Sequence, residues 1–214
     1  MMKKNKKNIT KKIILEISKK YIFKHGWNKN LFTQISNDKK INIHNLNSLF
    51  PEGYISLLKF YLENLNKDFI LRAKKLNLNN LRVHMKVREL ILLKLKLYES
   101  ERQIIKKTYF ALLSPKNFNI SSYALYKTVD EIWFLAGDNS TDFNFYSKRA
   151  ILASIYSSVI FYWINKNDME LTKKFLDKQL SRVSKIPSLK KNIKNFVKLP
   201  EGLKNFRKLF TAMQ

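Results

Sequence analysis

The sequence predicts an all-α fold, from its composition and from the spacing of its apolar residues. Only four glycines and four prolines occur among 214 residues, whereas β-sandwiches and doubly wound sheets need many more turn residues. In segment after segment, apolar residues recur every three or four positions, which is the period of an amphipathic helix. The length is enough for one domain, or for one domain with an appendage.

The formal net charge of +26 indicates an anionic partner, either a phosphate group or a lipid surface. Lysine greatly outnumbers arginine, whereas sites that read a nucleic-acid sequence favour the bidentate contacts of arginine. Lysine, asparagine and isoleucine also have AT-rich codons, so we attribute the charge half to compositional drift and half to a preference for anionic partners. The chain has no cysteine, which excludes disulfides and thiolate chemistry.

Residues 1–53 predict three short helices that form an N-terminal subdomain. The first ends at Gly26, the second covers about residues 30–37, and the third runs from His44 to Phe50. This succession resembles the helix-turn-helix of the TetR regulators. The third helix offers no arginine to a groove, so we expect the shape of that motif without specific nucleic-acid binding.

Residues 54–185 predict a helical body, which we interpret as a second domain. The last of its helices starts near Asn167 or Asp168, and Asn167 with Glu170 fits a capping box. The other helices are expected over 54–75, about 81–98, about 101–113, about 121–136 and from Thr141 or Asp142 to about Asn165.

The stretch from Ala136 to Tyr156 combines a turn with the most apolar helix of the chain. Gly137 is expected just past the end of one helix, and Asp138 and Asp142 follow within five residues. Two carboxylates at this spacing could hold a metal or act in acid–base catalysis. Because aspartate is also favoured in turns and at helix N-termini, we interpret both residues as caps. No other catalytic pattern accompanies them, so we do not expect an enzyme.

Aromatic residues are concentrated on the helices before and after this turn, including Tyr126, Trp133, Tyr156 and Trp163. Such residues most often fill a core. Two facing helices rich in aromatic residues also enclose apolar ligands in all-α domains. The sequence leaves both interpretations open.

Residues 186–214 form a third, basic and amphipathic segment, expected to contact an anionic membrane surface. The alternative is a pair of helices that dock on the body of the protein. The longest apolar run, 151–164, is too short to cross a bilayer, and residues 1–12 lack the apolar core of a signal peptide. The residues expected at the membrane are Leu203, Lys204, Phe206, Arg207, Lys208 and Phe210.

The residues around the turn are similar to the signature of the coenzyme Q biosynthesis protein nine family. The likeness is strongest over about 117–183, weaker but collinear over 9–116, and beyond 184 limited to the basic amphipathic character. The residues that carry it are Asp130, Trp133, Ala136–Gly137–Asp138, Ser140 to Asn144, Tyr146, Arg149–Ala150, Leu152–Ala153 and Ile155–Tyr156.

This resemblance implies a TetR-like, lipid-binding accessory protein of ubiquinone biosynthesis that needs no cofactor. Its ligand would be an isoprenoid quinone intermediate or another lipid, which it would present to a di-iron demethoxyubiquinone hydroxylase. By the same resemblance, the surface for that partner is expected at Asp130, Ile132, Trp133, Leu135, Asp142, Phe145, Tyr146 and Arg149. The apolar lipid pocket is expected at Tyr126, Val129, Trp133, Leu152, Ile155 and Tyr156.

Three departures from the family pattern concern the partner rather than the fold. Phe145 stands where tryptophan is common, Lys148 replaces an arginine, and Phe134–Leu135 replaces a more polar pair. With no presequence recognised, we expect a bacterial member, cytoplasmic and peripheral on the inner face of the plasma membrane.

The alternative function is a TetR-type transcriptional regulator, which would act as a homodimer. A homodimer is also compatible with the accessory protein of ubiquinone biosynthesis. An enzyme of an uncharacterised kind is disfavoured, because no paired catalytic groups are present.

Overall fold

A computed structural model of the protein describes residues 2–39, 41–140 and 143–184. These ranges hold nine α-helices, two 3-10 turns and no strand, which confirms the predicted all-α, TetR-like bundle. The 3-10 turns are Glu99–Glu101 and Pro115–Asn117. The helices are α1 (Met2–His25), α2 (Leu31–Lys39), α3 (Ile43–Leu49), α4 (Tyr54–Ala73), α5 (Val83–Tyr98), α6 (Arg102–Leu112), α7 (Phe118–Leu135), α8 (Phe143–Asn165) and α9 (Met169–Ser184).

Most helix ends agree with the sequence prediction, and the exceptions have local causes. Helix α7 begins three residues earlier than expected, because the turn Pro115–Asn117 leads into it directly. The expected capping box of α9 is wrong. Asp168 caps the helix instead, since its carboxylate accepts a hydrogen bond from the Leu171 amide at 2.9 Å, while the carboxylate of Glu170 binds Lys173.

The core lies where α7 packs against α8 and where α4 and α5 pack against α7. Burying an aliphatic side chain completely contributes about 1.5–3 kcal/mol to the free energy of unfolding. The contacts among these four helices therefore supply most of the stability of the bundle. Fully buried residues on the four helices include Leu57, Leu58, Leu90, Ile91, Leu95, Val129, Ile132, Leu152 and Val159.

Polar contacts join the three N-terminal helices, α1 to α3, to the rest of the bundle. The Glu101 carboxylate binds the Lys19 ammonium at 2.5 Å and accepts a hydrogen bond from the Tyr61 hydroxyl at 2.9 Å. The Trp27 indole donates to the Thr108 hydroxyl at 2.9 Å. These contacts join α1 and its following loop to α4, the Glu99–Glu101 turn and α6.

Helix α3 has only seven residues and carries a polar exposed face. Asn42 caps it by accepting a hydrogen bond from the His44 amide at 2.8 Å. The transcriptional-regulator alternative stays a prediction. The exposed residues of α3 are His44, Asn45, Asn47 and Ser48.

The chain divides into two compact units, residues 1–176 and 177–214. Of the second unit, the structure describes residues 177–184, and the expected membrane residues between 203 and 210 lie outside the described ranges. The expected domain limits at 53 and 185 stay predictions. No helix among the described residues is long and apolar enough to cross a membrane.

Candidate functional site

The turn after α7 is built on a glycine in the left-handed backbone conformation. Gly137 has a φ of 86°, which a side chain at this position would disfavour. Its amide donates to the Phe134 carbonyl at 3.0 Å, and the Asp138 amide donates to the Trp133 carbonyl at 3.0 Å. This pair of bonds is a Schellman motif, and it directs Asp138 toward the start of α8.

Asp138 is the centre of a polar cluster that joins the turn to α8. One carboxylate oxygen accepts hydrogen bonds from the Lys148 ammonium at 2.6 Å and from the Ser140 hydroxyl at 2.8 Å. The other lies 3.4 Å from the Arg149 guanidinium. Asp138 thus lies in the turn as expected, and its carboxylate also accepts a hydrogen bond from the Ser140 backbone, but it does not cap α8, since it binds two cationic side chains of that helix. Asp142, the other expected cap, lies outside the described residues.

Arg149 extends the cluster to α7 and is buried. Its Nε and Nη2 atoms bind the Asp130 carboxylate at 2.7 and 2.6 Å, and Nη1 donates to the Phe145 carbonyl at 3.2 Å. The guanidinium also lies over the Phe145 ring, 3.3 Å from its centroid. A buried guanidinium that binds two carboxylates fixes the position of α8 against α7.

Trp133 closes the cluster on its α7 side. The indole nitrogen donates to the Lys148 carbonyl at 3.1 Å, and the Lys148 ammonium lies 5.5 Å from the ring centroid. Trp133 is half-buried. Its hydrogen bond and its contact with Lys148 hold it in one orientation.

Two large aromatic side chains, one on each side of this turn, are exposed to solvent. Phe134 is 71% exposed and Tyr146 is 61% exposed. Exposed aromatic residues on a rigid frame are characteristic of protein–protein contact surfaces. Tyr146 was expected on this surface from the sequence, whereas Phe134 was not. The exposure of Phe134 could have been predicted from the helical period. Phe134 lies two residues, or about 200° around the helix, from Ile132, which is on the buried face.

The other expected partner residues are distributed unevenly on this surface. Asp130, Trp133, Leu135 and Phe145 are partly exposed. Ile132 does not reach the surface, because it lies on the core face of α7 and is fully buried. Arg149 is buried as well and can support the surface only through Asp130, Asp138 and Phe145.

The residues expected to form the lipid pocket lie mainly between α7 and α8. Val129, Leu152, Ile155 and Tyr156 are buried, while Tyr126 and Trp133 are partly exposed. The four buried residues belong to the apolar core between α7 and α8. Their role as a lipid pocket stays a prediction.

Burial and hydrogen bonds act in opposite directions on the pKa of Asp138. Burial alone would raise this pKa, but hydrogen bonds from Lys148 and Ser140 more than offset it, so the pKa lies below the ordinary aspartate value. A depressed folded-state pKa means that the ionised carboxylate stabilises the fold above the unfolded-state pKa. That contribution is lost as the pH falls through the folded-state pKa.

We therefore expect the side-chain carboxyl of Asp138 to titrate below the ordinary aspartate value. A ¹³C NMR titration of this carboxyl measures the midpoint. In Lys148→Met the pKa of Asp138 should rise, because the ammonium that stabilises its charge is gone. A midpoint unchanged by this substitution would contradict the cluster.

Replacing Gly137 with alanine should destabilise the protein by about 1 kcal/mol, because alanine disfavours a positive φ. An added Cβ would meet no atom within 4 Å, so the cost is one of backbone conformation alone. Urea unfolding measures it. Gly137→Asn should cost less, since asparagine tolerates this region better. Equal stability of Gly137→Ala and the parent chain would contradict the Schellman turn.

Together, the fold and the turn define a class of protein. It is an all-α helical bundle in which ion pairs hold the turn between α7 and α8, with exposed aromatic side chains on each side of that turn. Comparison with known proteins then shows which family this part of the chain is similar to. The COQ9 family model matches residues 118–187, which includes all of α7, the turn and α8. The match covers 70 of the 214 residues, and over this segment the resemblance inferred from the sequence is confirmed.

Similar proteins extend the likeness over most of the chain. The probable ubiquinone biosynthesis protein coq9 of Dictyostelium discoideum is 25% identical over 192 residues, covering 86% of this chain and 62% of that protein. The COQ9 protein of Rattus norvegicus is 37% identical over 86 residues, 39% of this chain and 28% of that protein. The coq9 protein of Schizosaccharomyces pombe is 28% identical over 150 residues, which cover 69% of this chain and 58% of that protein.

The chain thus spans less than two thirds of each of these relatives. All three are named as mitochondrial proteins of eukaryotes. The expected bacterial source of this chain stays a prediction.

Proposed function

We propose that this chain is an accessory protein of ubiquinone biosynthesis that binds an isoprenoid quinone intermediate and docks a hydroxylase through the α7–α8 turn. The observation that carries the proposal is the COQ9 match over residues 118–187, since that segment contains the Asp138 cluster and both projecting aromatic side chains. The relatives named above are ubiquinone biosynthesis proteins. In this proposal the chain supplies binding and positioning, and the chemistry belongs to its partner.

The geometry of the turn supports a docking role. Association is favoured when contact residues are already ordered, because less conformational entropy is lost on binding. The ion pairs of Lys148 and Arg149 with Asp138, and of Arg149 with Asp130, join α8 to α7 and the start of the turn close to Phe134 and Tyr146. The Tyr146 ring also packs edge-on against Phe145, with centroids 5.1 Å apart.

The lipid would be held by the apolar residues of α7 and α8, with residues 186–214 at the membrane surface. In this mechanism, docking brings the hydroxylase close to a bound lipid and raises the local concentration of substrate. The proposed site of action is the surface of the membrane that contains the isoprenoid lipids. The burial of Val129 and Leu152 supports an apolar environment for the lipid tail.

Replacing Phe134 and Tyr146 together with alanine should weaken binding of the hydroxylase at least tenfold and leave stability within about 0.5 kcal/mol. Exposed aromatic residues contribute to contacts with a partner more than to the fold. Binding is measured by surface plasmon resonance with a purified di-iron demethoxyubiquinone hydroxylase. Phe23→Ala, at a 55% exposed phenylalanine on α1, is the matched control and should bind like the parent chain.

Two results would contradict the docking proposal. One is equal hydroxylase affinity for the double variant and the parent chain. The other is a large loss of stability in the double variant, which would make these residues part of the fold.

The lipid part of the proposal has a separate test. The protein is purified without detergent and extracted with organic solvent, and the extract is analysed by mass spectrometry. An isoprenoid quinone precursor at a stoichiometric amount is the expected result. In a Leu152→Trp variant that urea unfolding shows to be folded, the larger side chain between α7 and α8 should displace it. An extract without isoprenoid lipid would overturn this part.

A further inference from the structure

The connection between α4 and α5 forms a second candidate binding surface, built from other residues than the α7–α8 turn. The two helices pack together, and the Lys94 ammonium of α5 lies 4.5 Å from the centroid of the Phe69 ring of α4. Only residues 74–82 join them, so the end of α4 and the start of α5 lie at one end of a helical hairpin. We call residues 71–86 the hairpin tip.

Aliphatic side chains on the hairpin tip are exposed to solvent. Leu71, in the last turn of α4, is 62% exposed. Leu76, in the loop, and Val83, the first residue of α5, are exposed as well. The Leu76 amide donates to the Ala73 carbonyl at 3.0 Å, which orders this part of the loop. Single exposed aliphatic side chains are common on protein surfaces, but these three lie among cations.

The hairpin tip carries positive charge and has no carboxylate of its own. No aspartate or glutamate occurs between Asp68 and Glu89, and Glu89 is bound by Arg88 at 2.7 Å. Five cations of the tip make no ion pair in the ranges that the structure describes. A surface of this kind attracts an anionic partner. The five cations are Arg72, Lys74, Lys75, Arg82 and Lys86.

Two of these cations lie where they do not favour the fold. Arg82 is the N-cap residue of α5 and makes no side-chain cap, and Lys86 follows in the first turn. Both face the positive end of the helix dipole, which disfavours cations. The bias that favours lysine throughout the chain does not explain the arginines either, since three of them, at positions 72, 82 and 88, fall in this short stretch. An anionic partner accounts for both observations.

Aliphatic side chains among cations favour a lipid surface over a nucleic acid. At a bilayer, cations contact the lipid phosphates while apolar side chains enter the acyl region. Sites for single-stranded nucleic acid instead combine cations with aromatic rings on which bases stack. No phenylalanine, tyrosine or tryptophan occurs between Phe69 and Tyr98.

We propose that the hairpin tip binds the surface of an anionic lipid bilayer. Leu71, Leu76 and Val83 enter the bilayer, and the five cations bind the phosphates around them. This contact is separate from the one expected of residues 186–214. It rests on the proposed function, which places the chain at a membrane surface.

The first test uses the absence of cysteine from the chain, because one introduced cysteine then carries one fluorophore. Asn77→Cys places the label on the hairpin tip, and Asn45→Cys, at an exposed position of α3, is the matched control. Vesicles that contain about 30% phosphatidylglycerol should at least double the emission of an environment-sensitive fluorophore at position 77. The label at position 45 should change little, and vesicles of phosphatidylcholine alone should have a small effect on both.

Three results of this test would overturn the proposal. One is an equal response at positions 77 and 45. Another is an unchanged label at position 77, whether or not the chain sediments with the vesicles. The third is a response of position 77 to a DNA duplex but not to vesicles, which would assign the surface to nucleic acid.

The second test removes the aliphatic side chains from the full chain. Leu71→Gln/Leu76→Gln/Val83→Gln should weaken sedimentation with the anionic vesicles at least fivefold. The control Ile13→Gln/Leu113→Gln/Leu171→Gln changes three aliphatic side chains of similar exposure elsewhere and should stay within about twofold. Urea unfolding checks that both variants are folded. Equal weakening by the two variants would contradict insertion of the hairpin tip.

The third test separates this surface from the general attraction of a basic protein for anions. Arg72→Gln/Lys75→Gln/Arg82→Gln should weaken binding to the anionic vesicles at least tenfold. Lys12→Gln/Lys20→Gln/Lys24→Gln removes the same charge at exposed positions of α1 and should weaken it by no more than about twofold. Equal weakening would reduce the effect to net charge and overturn the proposal. Because these tests involve neither the hydroxylase nor an isoprenoid lipid, their failure leaves those parts of the proposed function standing.

Discussion

Arg149→Ala is expected to lower the free energy of unfolding by about 3 kcal/mol and to abolish binding of the hydroxylase. The substitution removes a buried cation, leaves the partly exposed Asp130 carboxylate without its guanidinium partner and leaves Asp138 with the Lys148 ammonium alone. Removing one member of a buried ion pair costs about 3–5 kcal/mol when the remaining charge is uncompensated, and we expect the lower end of that range because Lys148 still neutralises Asp138. Urea unfolding and the hydroxylase binding assay measure the two effects.

Arg149→Lys is the matched control for this prediction. Lysine keeps the charge but cannot make the two-point contact to Asp130, so we expect about half the loss of stability and partial binding. An alanine variant with parental stability would contradict the role of Arg149 as the residue that locks the turn. Lost binding at unchanged stability would instead place Arg149 in direct contact with the partner.

Lys94→Met is expected to stabilise the protein at pH 7, on the order of 3 kcal/mol. Lys94 lies on α5 and is 1% exposed. Its ammonium has one hydrogen bond, to the Asn66 side chain at 3.3 Å, and lies 4.5 Å from the centroid of the Phe69 ring. Burial lowers the pKa of Lys94 to about 7, with a smaller opposing effect from the charge of Glu131. Methionine fills a similar volume without a charge to desolvate.

The direction of the pKa shift determines how the stabilisation by Lys94→Met changes with pH. The folded-state pKa lies below the value of about 10.4 in an unfolded chain, so the unfolded state binds the proton more tightly. The penalty is complete below pH 7, decreases as the pH rises from 7 toward 10, and is absent above that range. Unfolding at pH 7 and at pH 9.5 should therefore show the advantage of Lys94→Met shrinking with pH. Lys96→Met, at an exposed position of the same helix, should show no such trend.

A less stable Lys94→Met protein, with the same pH dependence as the parent chain, would contradict this account. It would mean that the buried ammonium is stabilised by its surroundings. Asn66 and Phe69 would then be its principal partners.

The helices could be predicted because their signals are local. The apolar period of α4 and α5, the glycines after α1 and α7, and the proline at position 115 each act within a few residues. The start of α9 was harder, since Asn167 and Asp168 are adjacent and both are good caps. Only the backbone geometry shows that the carboxylate of Asp168 binds the Leu171 amide.

The candidate site was predictable in position but not in arrangement. The resemblance located the turn, yet the sequence could not show that Asp138 binds Lys148 and Arg149, because such contacts depend on how α8 packs against α7. Ile132 was assigned to the surface from the same resemblance, and its burial follows from the packing of α4 and α5 on α7. The buried Lys94 leaves no distinct mark in the sequence, since lysine is common throughout the chain.

Complementation in a cell that lacks its own COQ9-family protein tests the central claim most directly. Quinones are extracted and quantified by mass spectrometry after expression of the parent chain, the Phe134/Tyr146 double alanine variant and the Phe23→Ala control. The account predicts that the parent chain and the control restore ubiquinone. It also predicts that the double variant accumulates the demethoxy precursor at comparable protein levels. A parent chain that leaves the quinone profile of the deletion unchanged, while folded and expressed, would contradict the account.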